Sequence, residues 1–162
     1  MESPFEKISG VIEVYSGYTG GKVPNPTYKQ VSAGGTGHTE AVEVLFDPRR
    51  VDYVQLLEVF WRQIDPTDAG GQFVDRGQQY RSGIYPLNGQ QQKLAEASKQ
   101  QLAASGRFKQ PIITEIVAAG KFYRAEEYHQ NYYKKNPLRY RYYRYGSGRD
   151  KFLDRFWGED RR

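Results

Sequence analysis

Two stretches early in the chain alternate apolar and polar residues with a period of two. Val11-Ile12-Glu13-Val14-Tyr15 and Thr39-Glu40-Ala41-Val42-Glu43-Val44-Leu45-Phe46 each predict a strand, the second closed by Asp47-Pro48. Helical spacing appears between and after them. Phe5 and Ile8, just before Gly10, predict the end of a helix. Leu56, Leu57, Phe60, Trp61 and Ile64 predict an amphipathic helix over 53–63, capped by Asp52. A surface helix over 90–105 carries a narrow apolar side of Leu94, Ala97 and Leu102. Residues 82–87 and 112–118 predict strands, and 122–133 a short helix and loop. At 150–157, Phe152, Leu153, Phe156 and Trp157 predict a terminal helix docking on its apolar side. Interleaved short strands and one-sided helices predict an α+β fold, a two-layer sandwich of a sheet with helices packed on it.

What the periodicity does not cover is equally informative. Residues 17–37 form a Gly/Pro-punctuated excursion, too long for an ordinary connector and stiffened by Pro24-Asn25-Pro26. A second polar, Gly-rich loop occupies 65–79. The hydrophobic fraction is only 38%, but 14 tyrosines can bury rings while keeping their hydroxyls bonded, so a chain of 162 residues still supports one domain with a real core. No apolar run approaches membrane-span length and no signal-peptide pattern is visible, which predicts a cytoplasmic protein.

Charge is uneven. From Tyr132 onward ten Lys/Arg stand against four Asp/Glu, a surplus of six in a chain of net charge +5, so the remainder sums to −1. Arg and Tyr alternate over 138–145, a pattern that can stack on bases and neutralise phosphates. The surplus is short and no nucleic-acid motif accompanies it, so we expect an arm, 138–162, packed on a domain spanning 1–137.

There is no cysteine, which excludes disulfides, Cys-ligated metals and thiol chemistry by these residues. His38 and His129 are too far apart in sequence to form a metal motif at helical spacing, and we expect no metal and no cofactor. The chemistry left is carboxylates and phenols in loops: Tyr28 and Glu40 from the first, Asp75 and Tyr80 from the second, Tyr132 and Tyr140 near the C-terminal segment. Such a set can donate protons and hydrogen-bond a polarised oxygen, and it offers no nucleophile.

Five motifs in order carry a resemblance: Gly17-Tyr18-Thr19-Gly20-Gly21, Pro24-Asn25-Pro26-Thr27-Tyr28, Thr36-Gly37-His38-Thr39-Glu40-Ala41-Val42, Asp75-Arg76-Gly77-Gln78-Gln79-Tyr80-Arg81-Ser82 and Tyr128-His129-Gln130-Asn131-Tyr132. Together they resemble the A-type peptide methionine sulfoxide reductases over 2–137. The resemblance implies a ferredoxin-like core with a mixed sheet and long loops. It implies attack of a cysteine thiolate on the sulfur of a methionine S-sulfoxide, free or in peptides. The resulting sulfenic acid is reduced by thioredoxin or another thiol. Glu40 matches the family's proton donor, Tyr28 and Tyr80 the oxygen-binding phenols, and Asp75 the acid that organises the site. His38 and Tyr132 join them as substrate-binding residues. The family's nucleophile lies in a Gly-Cys-Phe-Trp motif. Aligned on Glu2, Phe5 and Gly10, that motif falls immediately before Met1, so the first strand is expected to be missing as well. The 162 residues are therefore expected to be inactive alone and to self-associate through an exposed sheet edge. Two other readings are a sulfoxide- or peptide-binding module without chemistry, and a nucleic-acid binder acting through the Arg/Tyr tail.

Overall fold

The computed structural model describes residues 1–161. A short helix α1 (Glu2–Glu6) leads into strand β1 (Val11–Thr19), then helix α2 (Tyr28–Ala33), strand β2 (Thr39–Phe46) and helix α3 (Tyr53–Trp61). The middle of the chain holds β3 (Gly71–Gln72), β4 (Asp75–Arg76), β5 (Gly83–Ile84) and the long helix α4 (Gly89–Ala104). It ends with β6 (Glu115–Ile116), β7 (Tyr123–Arg124), α5 (Tyr132–Lys135), α6 (Pro137–Gly146) and α7 (Arg149–Trp157).

The main sheet is antiparallel, ordered β2-β1-β7. Its β1–β2 ladder runs from Val11↔Phe46 to Thr19↔Thr39, and the register shifts between Val11 and Glu13. Ile12 is the extra residue of that bulge, which explains an isoleucine left 68% exposed in an apolar run. Gly17 allows β7 to come close: a Cβ there would stand 2.4 Å from the Tyr123 carbonyl oxygen and 2.3 Å from the Phe122 ring.

Packing follows the predicted helix faces. Phe5, Val14, Val51 and Leu56 form one cluster, in which α1 and α3 cover β1. Leu57, Trp61 and Ile64 face a second and larger cluster with Ala95 and Leu102 of α4 and Leu153 and Trp157 of α7. Asp52 caps α3 through a complete capping box, accepting from the Gln55 backbone N–H while the Gln55 side chain accepts from its own.

Several expectations are corrected. The strand expected over 11–15 continues to Thr19, because β2 offers it an unbroken partner. The first long loop contains α2, started by a second capping box of Thr27 and Gln30. On α4 the buried alanine is Ala95, not Ala97, which is exposed. The strands expected over 82–87 and 112–118 shrink to two paired residues each, parallel to one another. One mixed sheet is not formed. Among the described residues the parallel pair β5–β6 and the antiparallel hairpin β3–β4 are separate from the main sheet, since no strand there hydrogen-bonds across from β2 to β5. The Arg/Tyr stretch is helix α6, with Pro137 in its first turn and no buried residue.

The C-terminal helix is the arm's anchor. Leu153 is fully buried at 0% exposure in the larger cluster. We expect Leu153→Ala to cost about 3 kcal/mol by urea denaturation. Substitution of the 78%-exposed Leu87 by Ala should change stability by less than about 0.5 kcal/mol. Equal, small effects would show that the arm is peripheral to the fold.

Candidate active site

A groove of about 600 Å³ opens between the outer strand of the main sheet and the parallel pair. Thr39 to Val44 of β2 form one wall, Ser82 to Tyr85 the other, and Leu56, Leu57 and Phe60 of α3 the apolar floor. Glu40, Asp75 and Tyr80 all line it.

Each arrives by local logic. Glu40 is the second residue of β2 and pairs with Tyr18 across the ladder. The preceding residue, Thr39, is buried, and its hydroxyl donates within reach of two carbonyls, those of Gln79 at 3.1 Å and Arg81 at 3.2 Å. That tie clamps the Gln78–Tyr80 3₁₀ turn onto the start of β2 and brings Tyr80 beside Glu40. Asp75 is set by the β3–β4 hairpin, where it pairs with Gln72. The hairpin needs Gly71 at φ 146°, because a Cβ would lie 2.1 Å from the Asp75 carbonyl oxygen. Tyr28 opens α2. Its backbone N–H donates to Glu126 at 3.1 Å, and its ring lies 4.5 Å from that of His129.

The electrostatics of these groups are coupled. Burial first, and then the Asp75 carboxylate, push the Glu40 carboxyl up to about 7. More than a third of Glu40 remains open to water along the groove. Contact with groove water does not restore bulk solvation where protein walls surround the carboxyl, and the like charge of Asp75 acts in the same direction. Burial and the nearby Glu40 push Tyr80 up to about 12. Tyr28 is raised for the same two reasons, with Asp75 contributing. Both phenols are therefore protonated donors at neutral pH, and Glu40 is a carboxyl that keeps a proton near neutrality.

Tyr28, His38 and Tyr132 do not line the groove, although burial and the Glu40 charge both act on Tyr28. His38 is 2% exposed and does not line the groove. Its Nδ1 accepts from the Gly21 N–H at 3.0 Å and its Nε2 donates to the Val23 carbonyl at 2.7 Å. Both nitrogens hold the first loop, so His38 acts as a loop staple. Tyr132 begins α5 and is likewise absent from the groove lining.

Three residues that sequence reasoning left out of the site belong to its surroundings. Glu126 accepts from the Tyr18 and Tyr128 hydroxyls, both at 3.1 Å, as well as from Tyr28. Burial opposes its charge, but these hydrogen bonds win and hold it below the usual carboxylate range. Tyr143 of α6 donates its hydroxyl to Asp75, and Tyr143 and Arg149 both line the groove. The Arg/Tyr alternation was visible in the sequence, but nothing in it said which tyrosine folds back. Among the described residues, no group of His, Asp and Glu is arranged to hold a metal ion, and no helix is long and apolar enough to cross a membrane.

Glu40, a carboxyl that keeps its proton near neutrality, thus shares one groove with Asp75 and the phenol of Tyr80, a set able to donate to a polarised oxygen. A family model described as peptide methionine sulfoxide reductase matches residues 1–161. The chain is 56% identical to the peptide methionine sulfoxide reductase MsrA of Bacillus licheniformis over 98% of its own length and 87% of the relative's. It is equally identical, at 56%, to that of Bacillus subtilis, over 98% and 89%. Among solved structures, the reduced form of Mxr1 from Saccharomyces cerevisiae superposes with a TM-score of 0.79 at 31% identity, covering 85% of this chain and 79% of that one. Methionine sulfoxide reductase A of Corynebacterium diphtheriae gives 0.73 at 40% identity, covering 85% and 69%. The chain belongs to the peptide methionine sulfoxide reductase family.

The sign of the Glu40 shift yields a pH dependence. Its folded pKa lies above the ordinary carboxyl value of 4.5, so between about pH 4.5 and 7 the folded state binds more protons than the unfolded one. Stability contributed by this group therefore falls as pH rises through that window. We expect Glu40→Gln to be more stabilising, relative to the parent, at pH 8 than at pH 5. Carboxyl titration followed by NMR should place the parent midpoint near 7, and Asp75→Asn should lower it. A midpoint near 4.5 would contradict the assignment.

Proposed function

We propose that the groove is the oxygen-handling half of a peptide-methionine (S)-S-oxide reductase site. The observation that carries the reading is Glu40, raised to about 7 by burial and then by Asp75, in one groove with Asp75 and the phenol of Tyr80. In this reading the sulfoxide oxygen accepts hydrogen bonds from Tyr28 and Tyr80 and a proton from Glu40. The sulfoxide sulfur takes an electron pair from an attacking thiolate. The oxygen then leaves with the thiol sulfur as a sulfenic acid, and methionine is released. A second thiol, of thioredoxin or another reductant, condenses with the sulfenic acid to a disulfide and water, and no resident cofactor is needed. Asp75 supports the reaction by raising Glu40, which keeps the donor protonated until it is used.

The thiol is not among these 162 residues. Two features support its entry at the groove. Met1, which precedes α1, lines the same groove as Glu40 and Tyr80. β2 is the outer strand of the main sheet, β5 is paired, among the described residues, only with β6, and residues of both line the groove. A strand there, leading into Gly-Cys-Phe-Trp and then α1, would join the main sheet and the parallel pair into one mixed sheet with helices packed on it. That is the ferredoxin-like, two-layer arrangement. It would also cover open edges that otherwise favour self-association. Residues 1–137 then constitute the reductase domain and 138–162 an arm packed on it, in a cytoplasmic protein.

The test is turnover of the S epimer of N-acetyl-methionine sulfoxide N-methylamide with dithiothreitol. The 162 residues alone should give none. Addition in trans of a synthetic peptide, an apolar strand ending in Gly-Cys-Phe-Trp, should restore stereoselective turnover that Glu40→Gln reduces by 10²-fold or more, the scale of a lost general acid. Stereoselective turnover by the chain alone would refute the reading.

A further inference from the structure

Asp75 is held from an unexpected direction. It lies in the middle of the chain, yet the hydroxyl bonded to its carboxylate belongs to Tyr143 of α6, in the C-terminal arm. Glu40, Asp75, Tyr80 and Tyr143 line one groove. Tyr143 is 45% exposed on a helix that buries no residue, so its ring adds little to the core and the hydroxyl is the engaged part. Burial first, and then the bond to Asp75, push that phenol up, so it remains a donor throughout the range in which carboxyls titrate.

The arm grips the same hairpin at a second point. Residues 73 and 74 join β3 to β4, and Phe73 has φ 57°, a left-handed conformation that is strained for a bulky side chain. Glycine would adopt it without strain. What phenylalanine offers instead is a ring packed on α7. It lies 5.4 Å from the Phe152 ring, edge to face, and 4.6 Å from the Arg149 guanidinium. On the other flank Arg76 donates to both oxygens of Asp68, at 2.5 and 2.9 Å. These contacts fix the backbone of the hairpin. They leave the Asp75 side chain free to rotate, and the Tyr143 hydroxyl removes that freedom.

The orientation of Asp75 matters because its charge acts on its neighbours. Burial first and Asp75 second raise Glu40, while the Met1 amine acts on Glu40 in the opposite sense. Asp75 also acts on the phenols of Tyr28 and Tyr80 and on the Arg149 guanidinium. Asp75 is itself only half-buried. Without the Tyr143 hydroxyl its carboxylate is free to turn to water or to Arg149, and either move weakens its action on Glu40.

We infer that Tyr143 is a positioning residue of the site: from the C-terminal arm it holds the Asp75 carboxylate in the groove where that charge bears on Glu40. This rests on the sulfoxide-site reading and adds to it that the proton donor is set in part by a residue outside 1–137.

The experiment follows the Glu40 carboxyl by NMR through a pH titration of the 162-residue chain. Four proteins form a cycle: the parent, Tyr143→Phe, Asp75→Asn and the double variant. Tyr143→Phe should lower the Glu40 midpoint from about 7 by roughly one pH unit, the scale on which a neighbouring charge acts. In the Asp75→Asn background the same substitution should leave the midpoint unmoved, since no charge remains to be positioned. A merely structural Tyr143 would shift both backgrounds alike. A midpoint that Tyr143→Phe leaves unmoved or raises, or an equal shift with and without Asp75, would overturn the inference and leave the sulfoxide site standing. A parent midpoint near 4.5 would bring down the site reading and this inference with it.

Discussion

The antiparallel ladder between β1 and β2 is the interaction on which everything else in the molecule depends. Its register pairs Glu40 with Tyr18 and ends at Thr19↔Thr39. A slip of one residue would turn Glu40 to the other face and bury the wrong set of side chains. Because β1 is central, with β7 on its far side, β2 is left as the outer strand. Residues 39–44 of β2 line the groove, so Glu40, the second residue of that outer strand, stands where a ligand could reach it. The ladder also places Thr39, whose hydroxyl holds the Gln78–Tyr80 turn and with it Tyr80.

The glycine-rich loops, which looked like the functional centre, divide their labour differently. Much of the first loop is scaffolding. His38 bonds Gly21 and Val23, and Gly21 has no room for a Cβ, which would stand 2.3 Å from the His38 nitrogen. Thr27 and Gln30 fasten the start of α2 so that Tyr28 is presented by a capped helix and not by a mobile loop. Behind it, Glu126 gathers the Tyr28 backbone and the Tyr18 and Tyr128 hydroxyls. The phenol's position thus depends on a carboxylate nearly a hundred residues away. The three groups share one constraint: burial first raises all of them, the Asp75 carboxylate then adds to the rise of Glu40, and the Glu40 charge adds to that of both phenols.

The arm resolves the ambiguity of its own sequence. Alternating Arg and Tyr suited either nucleic acid or self-packing. Leu153 and Trp157 sit in the core, and Arg149 and Tyr143 reach the groove. The segment is part of the fold that builds the site. α6 leaves Leu138, Tyr142, Tyr143 and Tyr145 exposed among its arginines.

The sequence by itself determined the elements whose residues interact with near neighbours. The alternation of 39–46 and the apolar spacing and Asp52 cap of α3 could be read directly, because period and capping are local physics. Motif order was enough to single out Tyr28, Glu40, Asp75 and Tyr80, since each motif is contiguous. Tertiary structure alone decided what depends on contacts distant in sequence. It extended β1 to Thr19 through a partner strand and made α2 out of a presumed loop. It reduced 82–87 and 112–118 to a two-residue parallel pair. It also turned His38 inward, where loop hydrogen bonds outweigh exposure, and brought Tyr143 and Arg149 to the groove from the far end of the chain. Residue spacing encodes direction along an element, but the meeting of two elements is set by which buried surfaces and hydrogen bonds close together. That closure exists only in the folded chain.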